Sequence, residues 1–204
     1  MKARRLAFLI CSVALLAPLS SCVDVNAKAS VDSSGAGRLA LDYRVSRMVA
    51  PLGALDAKSR ILPFPAAKAD LDAAAKAARG VSLVSYEAAE GTDEIAVRAV
   101  ISFSSLSSLA SFLDPAGERA LYSDSGGRRS LRLVIAPGSA ETDPEVKRLV
   151  DTAFMDYGVK LEIALPSPVL SAGIGKATGA KAEFASSIAS LAESAQPVVW
   201  EIVW

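Results

Sequence analysis

The chain has 204 residues, 51% of them hydrophobic, and its 22 basic side chains balance its 22 acidic ones. It contains two cysteines and no histidine, which excludes a Ser-His-Asp triad and metal sites built on imidazole. The balanced charge also argues against a nucleic-acid-binding protein, which needs an excess of basic side chains to contact phosphates.

The first 21 residues have the organisation of an export signal. A basic start, Met1–Arg5, precedes an apolar stretch, Leu6–Leu16, and small residues follow. The apolar stretch is shorter than the roughly 20 residues that cross a bilayer, and this order is typical of a secretory signal peptide. We therefore expect residues 1–21 to be removed and residues 22–204 to form one domain.

Cys22 ends the sequence Leu19-Ser20-Ser21-Cys22, which resembles a bacterial lipobox. The resemblance implies that Cys22 becomes the first mature residue and carries a thioether-linked diacylglycerol, with a third acyl chain such as palmitate on its amine. Two or more chains make a stable membrane anchor. We predict lipid attachment at Cys22 of an exported protein, anchored in the cell envelope on the periplasmic or surface face. The alternative is an ordinary cleaved signal beside an uninvolved cysteine.

Removal of the signal would change both thiol content and charge. Cys11 and three basic side chains leave with it, so 19 basic and 22 acidic side chains remain, a formal charge of −3. With the other cysteine acylated, the domain would have neither a disulfide nor a cysteine nucleophile. The negative charge argues against adhesion to anionic head groups, so the lipid itself would hold the protein at the membrane.

Val23–Arg47 has the strongest strand pattern in the chain. Apolar and polar residues alternate on both sides of a glycine-containing break, which predicts a half-buried β-hairpin. Pairing of Asp32 with Arg38 would also set Lys28 opposite Asp42, so that opposite charges share the polar face.

The next segment, Arg47–Pro65, is apolar but interrupted by a glycine and three prolines. It is too apolar for a solvated loop and too interrupted for a long helix. Two interpretations stay open: a short helix and loop packed over the core, or a lid over an apolar ligand or the membrane.

The rest of the chain predicts an alternation of helices and strands. Helices are expected at Ala66–Arg79 and Ser105–Leu113, and from Thr142 to Tyr157. Strands are expected at Val81–Ala88, Glu94–Phe103, Arg119–Asp124, Arg129–Ile135, Val159–Leu165 and Val198–Trp204. Phe103–Ala110 is echoed at Phe184–Ala192, each as a strand end followed by a serine-started helix. Because tight turns make neighbouring strands antiparallel, we predict an α+β domain of antiparallel β-hairpins forming a curved sheet, with helices packed mainly on one face.

Candidate catalytic groups are few. The carboxylates on the predicted strands or beside their turns are expected to be solvated strand charges: Asp24, Asp32, Asp42, Glu87 and Glu94. Gly173–Thr178 resembles a phosphate-binding loop, but Leu170 and Ala177 replace the required glycine and hydroxyl, so a flexible loop is expected. Trp200 and Trp204 share a strand face, which favours core packing, with the border of a ligand cavity as the alternative. No catalytic residue, cofactor site or metal ligand is predicted.

With these elements in place, the chain resembles the LppM-type bacterial lipoprotein domain. The resemblance rests on the lipobox, the strand directly after Cys22 with its turn at Asp32–Gly37, and Gly80–Leu83 before the second hairpin. Phe103 before a short helix and the closing Pro197–Trp204 fit as well. It implies an exported α+β domain, with lipid or glycolipid binding suggested for some members and no enzyme activity assigned.

The function expected from these features is that of a non-enzymatic, membrane-anchored envelope lipoprotein that binds a lipid or another apolar ligand in a cleft between layers of the fold. The alternative is a structural or assembly lipoprotein acting through protein–protein contacts, such as an exposed sheet edge. A carboxylate-based hydrolase would need two carboxylates converging in a pocket, which the strand alternation does not predict. The expected partners are therefore the membrane, a lipid or an envelope protein, and not nucleic acid.

Overall fold

Ten strands in two sheets and three helices form the part of the chain that the computed structural model describes, residues 23–46, 67–92, 94–138 and 157–204. The strands are β1 (Val23–Val31), β2 (Gly37–Ser46), β3 (Val81–Glu90), β4 (Glu94–Phe103), β5 (Ala120–Ser125), β6 (Arg128–Ala136), β7 (Gly158–Ala164), β8 (Lys176–Thr178), β9 (Lys181–Ser187) and β10 (Val198–Val203). The helices are α1 (Lys68–Ala77), α2 (Leu106–Leu113) and α3 (Ile188–Ala192). None of these helices has the length and apolar character needed to cross a membrane. The α+β class is confirmed.

The larger sheet has the strand order β3-β4-β2-β1-β7-β9-β8, and the smaller sheet has the order β10-β6-β5. The three predicted hairpins, β1–β2, β3–β4 and β5–β6, are confirmed as antiparallel pairs. The larger sheet also contains a parallel pair, because β7 lies beside β1 in parallel, so the sheet is mixed. No tight turn joins these two strands, so their connection does not impose an antiparallel order. The curvature of the sheet and the packing of helices on one face stay predictions.

The predicted alternation fixes which face of the larger sheet is buried. On β2, Leu39, Leu41 and Tyr43 are buried, whereas Arg38 and Asp42 are exposed. Side chains of a strand point to opposite faces in turn, so one face contributes to the core and the other carries the charges. The buried residues of the neighbouring strands are Val25, Ala27, Val31, Val97, Ala99, Ile101, Phe103, Val159 and Ile163.

The first hairpin is shifted by two residues from the predicted register. Val31 pairs with Gly37, and Lys28 faces Ala40 instead of Asp42. Asp32 lies in the turn because its carboxylate accepts hydrogen bonds from the Ser34 N–H (2.8 Å) and hydroxyl (2.6 Å). A shift of two residues keeps every side chain on its predicted face.

Both serine-started helices of the predicted echo are confirmed. Ser105 accepts a hydrogen bond from the Ser108 N–H at the start of α2, and Ser187 accepts one from the Ser190 N–H at the start of α3, each at 3.1 Å. These side chains satisfy N–H groups that lack a partner within the helix. The predicted helix from Thr142 and the segment Arg47–Pro65 lie outside the described residues.

Candidate functional site

A cavity of about 1000 Å³ lies between the two sheets. Its walls come from β1, β2 and β7 of the larger sheet, from β6 and β10 of the smaller sheet, and from α1 and α2. Protein interiors are close-packed and contain few voids larger than a water molecule. A cavity of this volume therefore needs an explanation other than ordinary packing.

The deep part of the cavity is apolar. Leu39 and Leu41 line it from the larger sheet, and Leu131 and Ile202 line it from the smaller sheet, each less than 5% exposed. Among the described residues, none of the buried side chains in the lining is charged. Such a wall suits hydrocarbon and holds no carboxylate for general acid–base chemistry.

Small side chains leave the space that forms the cavity. β1 presents Ala27 and Ala29 to it, and α1 presents Ala73 and Ala74. Packed sheets lie about 10 Å apart and rely on large side chains to fill the gap between them. Alanine methyl groups are too short to do so. The alanines of β1 and α1 therefore leave space between the layers unfilled by side chains.

The mouth of the cavity is charged at two positions. Lining residues that are also exposed mark it: Asp70 and Ala73 on α1, Pro115, Ala116 and Glu118 in the loop after α2, and Pro137 after β6. Asp70 and Glu118 place two carboxylates at this opening. The cavity thus combines an apolar interior with a charged entrance, which is the arrangement that an amphiphilic ligand requires.

One carboxylate holds the loop at the mouth in place. Asp114, at the C-terminal end of α2, accepts hydrogen bonds from the backbone N–H groups of Ala116 (3.2 Å), Arg119 and Ala120 (3.3 Å). Burial acts to raise the pKa of Asp114, but the backbone donors outweigh it, and the pKa is lowered from its ordinary value of 3.8. Asp114 is therefore ionised at neutral pH, with its oxygens occupied by the loop that it shapes.

The two tryptophans have different surroundings. Both are buried, which confirms the predicted core packing. Trp200 also lines the cavity, which was the alternative role predicted for the two tryptophans. Its ring centroid lies 6.0 Å from that of Phe184. The Trp204 ring lies 6.2 Å from that of Tyr122. Trp200 thus gives the deep wall a large, rigid aromatic surface.

The carboxylates singled out in the sequence do not converge on this cavity. Asp42 and Glu87 both lie opposite Arg98, where they border a groove of about 390 Å³ on the outer face of the larger sheet. The Asp42 carboxylate is 3.2 Å from the Arg98 guanidinium, and that of Glu94 is 3.4 Å from Arg44. Within the described ranges, no group of three or more acidic or thiol side chains is placed to hold a metal ion.

Cys22 and Asp24 lie at the N-terminal limit of the described residues, whereas Gly173–Thr178 lies within them. Cys22 lies directly before Val23, the first described residue, so its lipidation stays a prediction, and the side chain of Asp24 is also outside the description. The flexible loop expected at Gly173–Thr178 is wrong in its second half, because Lys176–Thr178 form β8 and pair with β9.

The residues at the mouth of the cavity were not predicted from the sequence. Asp70, Asp114, Glu118 and Arg119 were not singled out, because none belongs to a catalytic or metal-binding motif. The signal that could have indicated the loop is Asp114-Pro115-Ala116-Gly117, since Pro at the second and Gly at the fourth position favour a β-turn. The Gly117 N–H does donate to the Asp114 carbonyl at 3.1 Å.

No protein-family model and no curated protein matches the chain. Among solved structures, the chain is similar to the folded domain of LppM from Mycobacterium tuberculosis, determined by NMR, with a TM-score of 0.51 and 14% sequence identity. The similarity covers 89% of this chain and 88% of the LppM domain. At this identity the similarity concerns the fold, and it confirms the resemblance in fold that the sequence predicted.

Proposed function

We propose, from the fold shared with an LppM domain and from the cavity between the sheets, that the protein is an envelope lipoprotein whose domain binds a lipid or another apolar ligand. The lipid on Cys22 would anchor the chain in the membrane. Because β1 begins directly after Cys22, the cavity would be held close to the bilayer from which an apolar ligand comes.

The size of the cavity is the observation that carries this proposal. The cavity opens to solvent at its mouth, and its volume of about 1000 Å³ lies at the upper end of the roughly 300–1,000 Å³ of ligand-binding pockets. Water in the deep part finds few hydrogen-bond partners on the apolar wall. Hydrocarbon would contribute about 0.8 kcal/mol per buried methylene.

The non-enzymatic character is part of the proposal. The cavity's buried lining consists of alanine, aliphatic side chains and Trp200 within the described residues. Nucleophilic or acid–base catalysis needs a titratable group within hydrogen-bond reach of the reacting atoms. The charged side chains of the described lining lie outside this buried part, and the apolar wall supports binding instead.

The assembly alternative has less support. It requires an exposed, uncharged sheet edge and a solid core. β3 is an edge strand of the larger sheet, but it carries Glu87 and Glu90, and its register shifts between Leu83 and Ser85. Charged side chains and bulges protect a sheet edge from pairing with another strand, and the interior holds a cavity.

Photochemical labelling tests the proposal. The full-length protein is reconstituted into phosphatidylcholine vesicles that contain a lipid with a diazirine in its acyl chain, and labelled peptides are mapped by mass spectrometry. We expect labels on the strands that line the cavity, at Leu39 and Leu41 on β2 and at Leu131 on β6.

A matched pair of variants distinguishes labelling in the cavity from labelling at the protein surface. Ala29→Phe fills the cavity from β1, whereas Ala164→Phe adds the same ring on the exposed face of β7. We expect Ala29→Phe to lose most of the labelling and Ala164→Phe to keep it. Labelling that is absent from the wild type, or equal in the wild type and both variants, would contradict ligand binding in the cavity.

A further inference from the structure

The charge at the cavity mouth restricts which amphiphile can bind. The charged side chains of the described lining are Asp70, Asp114, Glu118, Glu162 and the basic Arg119. Within the described residues, four carboxylates against one guanidinium make this lining net negative. A ligand with its hydrocarbon in the apolar interior must place its polar end among these groups.

Two of these carboxylates are already compensated. Asp114 is satisfied by the backbone N–H groups of its loop, and Glu162 lies 2.9 Å from the Lys181 ammonium. Both Asp114 oxygens are occupied and the Glu162 charge is paired with that of Lys181, so these two carboxylates contribute little to recognition of a ligand.

Asp70 and Glu118 are different. Both are exposed lining residues, Asp70 on α1 and Glu118 in the loop after α2. Within the described residues neither carboxylate has an ion-pair partner. Ionised carboxylates only accept hydrogen bonds, so they attract hydroxyl or ammonium donors and repel phosphate and carboxylate groups.

We infer that the cavity selects an amphiphile whose polar end carries no negative charge and bears hydroxyl donors, such as a diacylglycerol, and disfavours anionic phospholipids and free fatty acids. This inference rests on the proposed function. The apolar interior is indifferent between these classes when the acyl chains are the same, so the discrimination comes from Asp70 and Glu118.

The test uses the full-length protein in phosphatidylcholine vesicles with one of two photoreactive probes, a diacylglycerol or a phosphatidylglycerol with identical diazirine-bearing acyl chains. We expect the diacylglycerol to label the cavity about ten times more, the factor expected for charges several ångströms apart in partly aqueous surroundings. Because such interactions are screened beyond about 10 Å at 0.1 M salt, the ratio should fall as ionic strength rises.

The double variant Asp70→Asn/Glu118→Gln should bring the ratio of the two labels close to one. Asp42→Asn/Glu87→Gln removes two carboxylates from the outer face of the larger sheet and serves as the control, with an unchanged ratio expected. Equal labelling of the wild type by both probes, or a ratio that the mouth variant leaves unchanged, would overturn the inference while leaving lipid binding intact. Absence of cavity labelling by both probes would instead overturn the proposed function, and the inference with it.

Discussion

Replacing Asp114 by asparagine should destabilise the domain through the loop at the cavity mouth. The aspartate oxygens accept three backbone N–H groups, of which those of Arg119 and Ala120 share Oδ2 and that of Ala116 uses Oδ1. In Asp114→Asn one oxygen is replaced by an amide NH₂, which cannot accept. If the remaining oxygen keeps the N–H groups of Arg119 and Ala120, the Ala116 N–H loses its partner, and the other two exchange a charged acceptor for a neutral one. Each unsatisfied buried donor costs about 1–3 kcal/mol, and half-exposed ones cost less because water replaces the acceptor. We expect a loss of about 2 kcal/mol in the free energy of unfolding.

Urea unfolding at pH 7 measures this loss, which should lower the midpoint by about 1 M for an m-value of about 2 kcal/mol/M. The folded-state pKa of Asp114 is lowered, so its contribution is present above the ordinary value of 3.8 and is lost as the pH falls through the folded-state pKa. The gap between wild type and variant should therefore narrow below about pH 4. Asp72→Asn is the control, because its exposed ion pair with Lys76 contributes only about 0.3–0.5 kcal/mol. Equal midpoints for wild type and Asp114→Asn at pH 7, or a gap that stays constant at acid pH, would refute the reasoning.

Four other substitutions give direct checks. Ser105→Ala and Ser187→Ala each remove an N-cap hydrogen bond and should each lower the free energy of unfolding by about 1 kcal/mol. The melting temperature should fall by about 2–4 °C in each variant, and an unchanged melting temperature would argue against the cap concerned. Gly37→Ala would place a methyl group against the Ser30 carbonyl and 2.6 Å from the Phe103 ring, so a loss of about 3 kcal/mol is expected, and a wild-type melting temperature would contradict this packing. Cys22→Ser should leave the signal uncleaved and abolish incorporation of radiolabelled palmitate. Normal processing with normal labelling would show that the lipid is attached elsewhere.

Local patterns predicted the elements whose structure depends on neighbouring residues. Apolar alternation predicted the three hairpins, because a half-buried strand needs a period of two. The serine caps of α2 and α3 follow from the same local chemistry. The register of the first hairpin was missed by two residues, since the Asp32 carboxylate binds its own turn instead of extending the strand.

Features that depend on distant contacts were not predictable from these patterns. β1 and β7 are separated by more than 120 residues of sequence, and nothing in either strand specifies a parallel partner. The division into two sheets and the cavity between them likewise depend on how the layers meet. In the sequence, Ala27 and Ala29 look like ordinary strand residues. They contribute to a cavity only because the opposite sheet lies too far away for their short side chains to reach.

Native mass spectrometry of the full-length protein, released from detergent micelles after extraction from its own membranes, tests the central claim most directly. The account predicts, beside the mass of the acylated chain, a second species heavier by one bound lipid, which is retained in Ala164→Phe and largely lost in Ala29→Phe. A single unliganded mass for the wild type, or a lipid adduct that Ala29→Phe retains in full, would contradict a ligand in the cavity between the sheets.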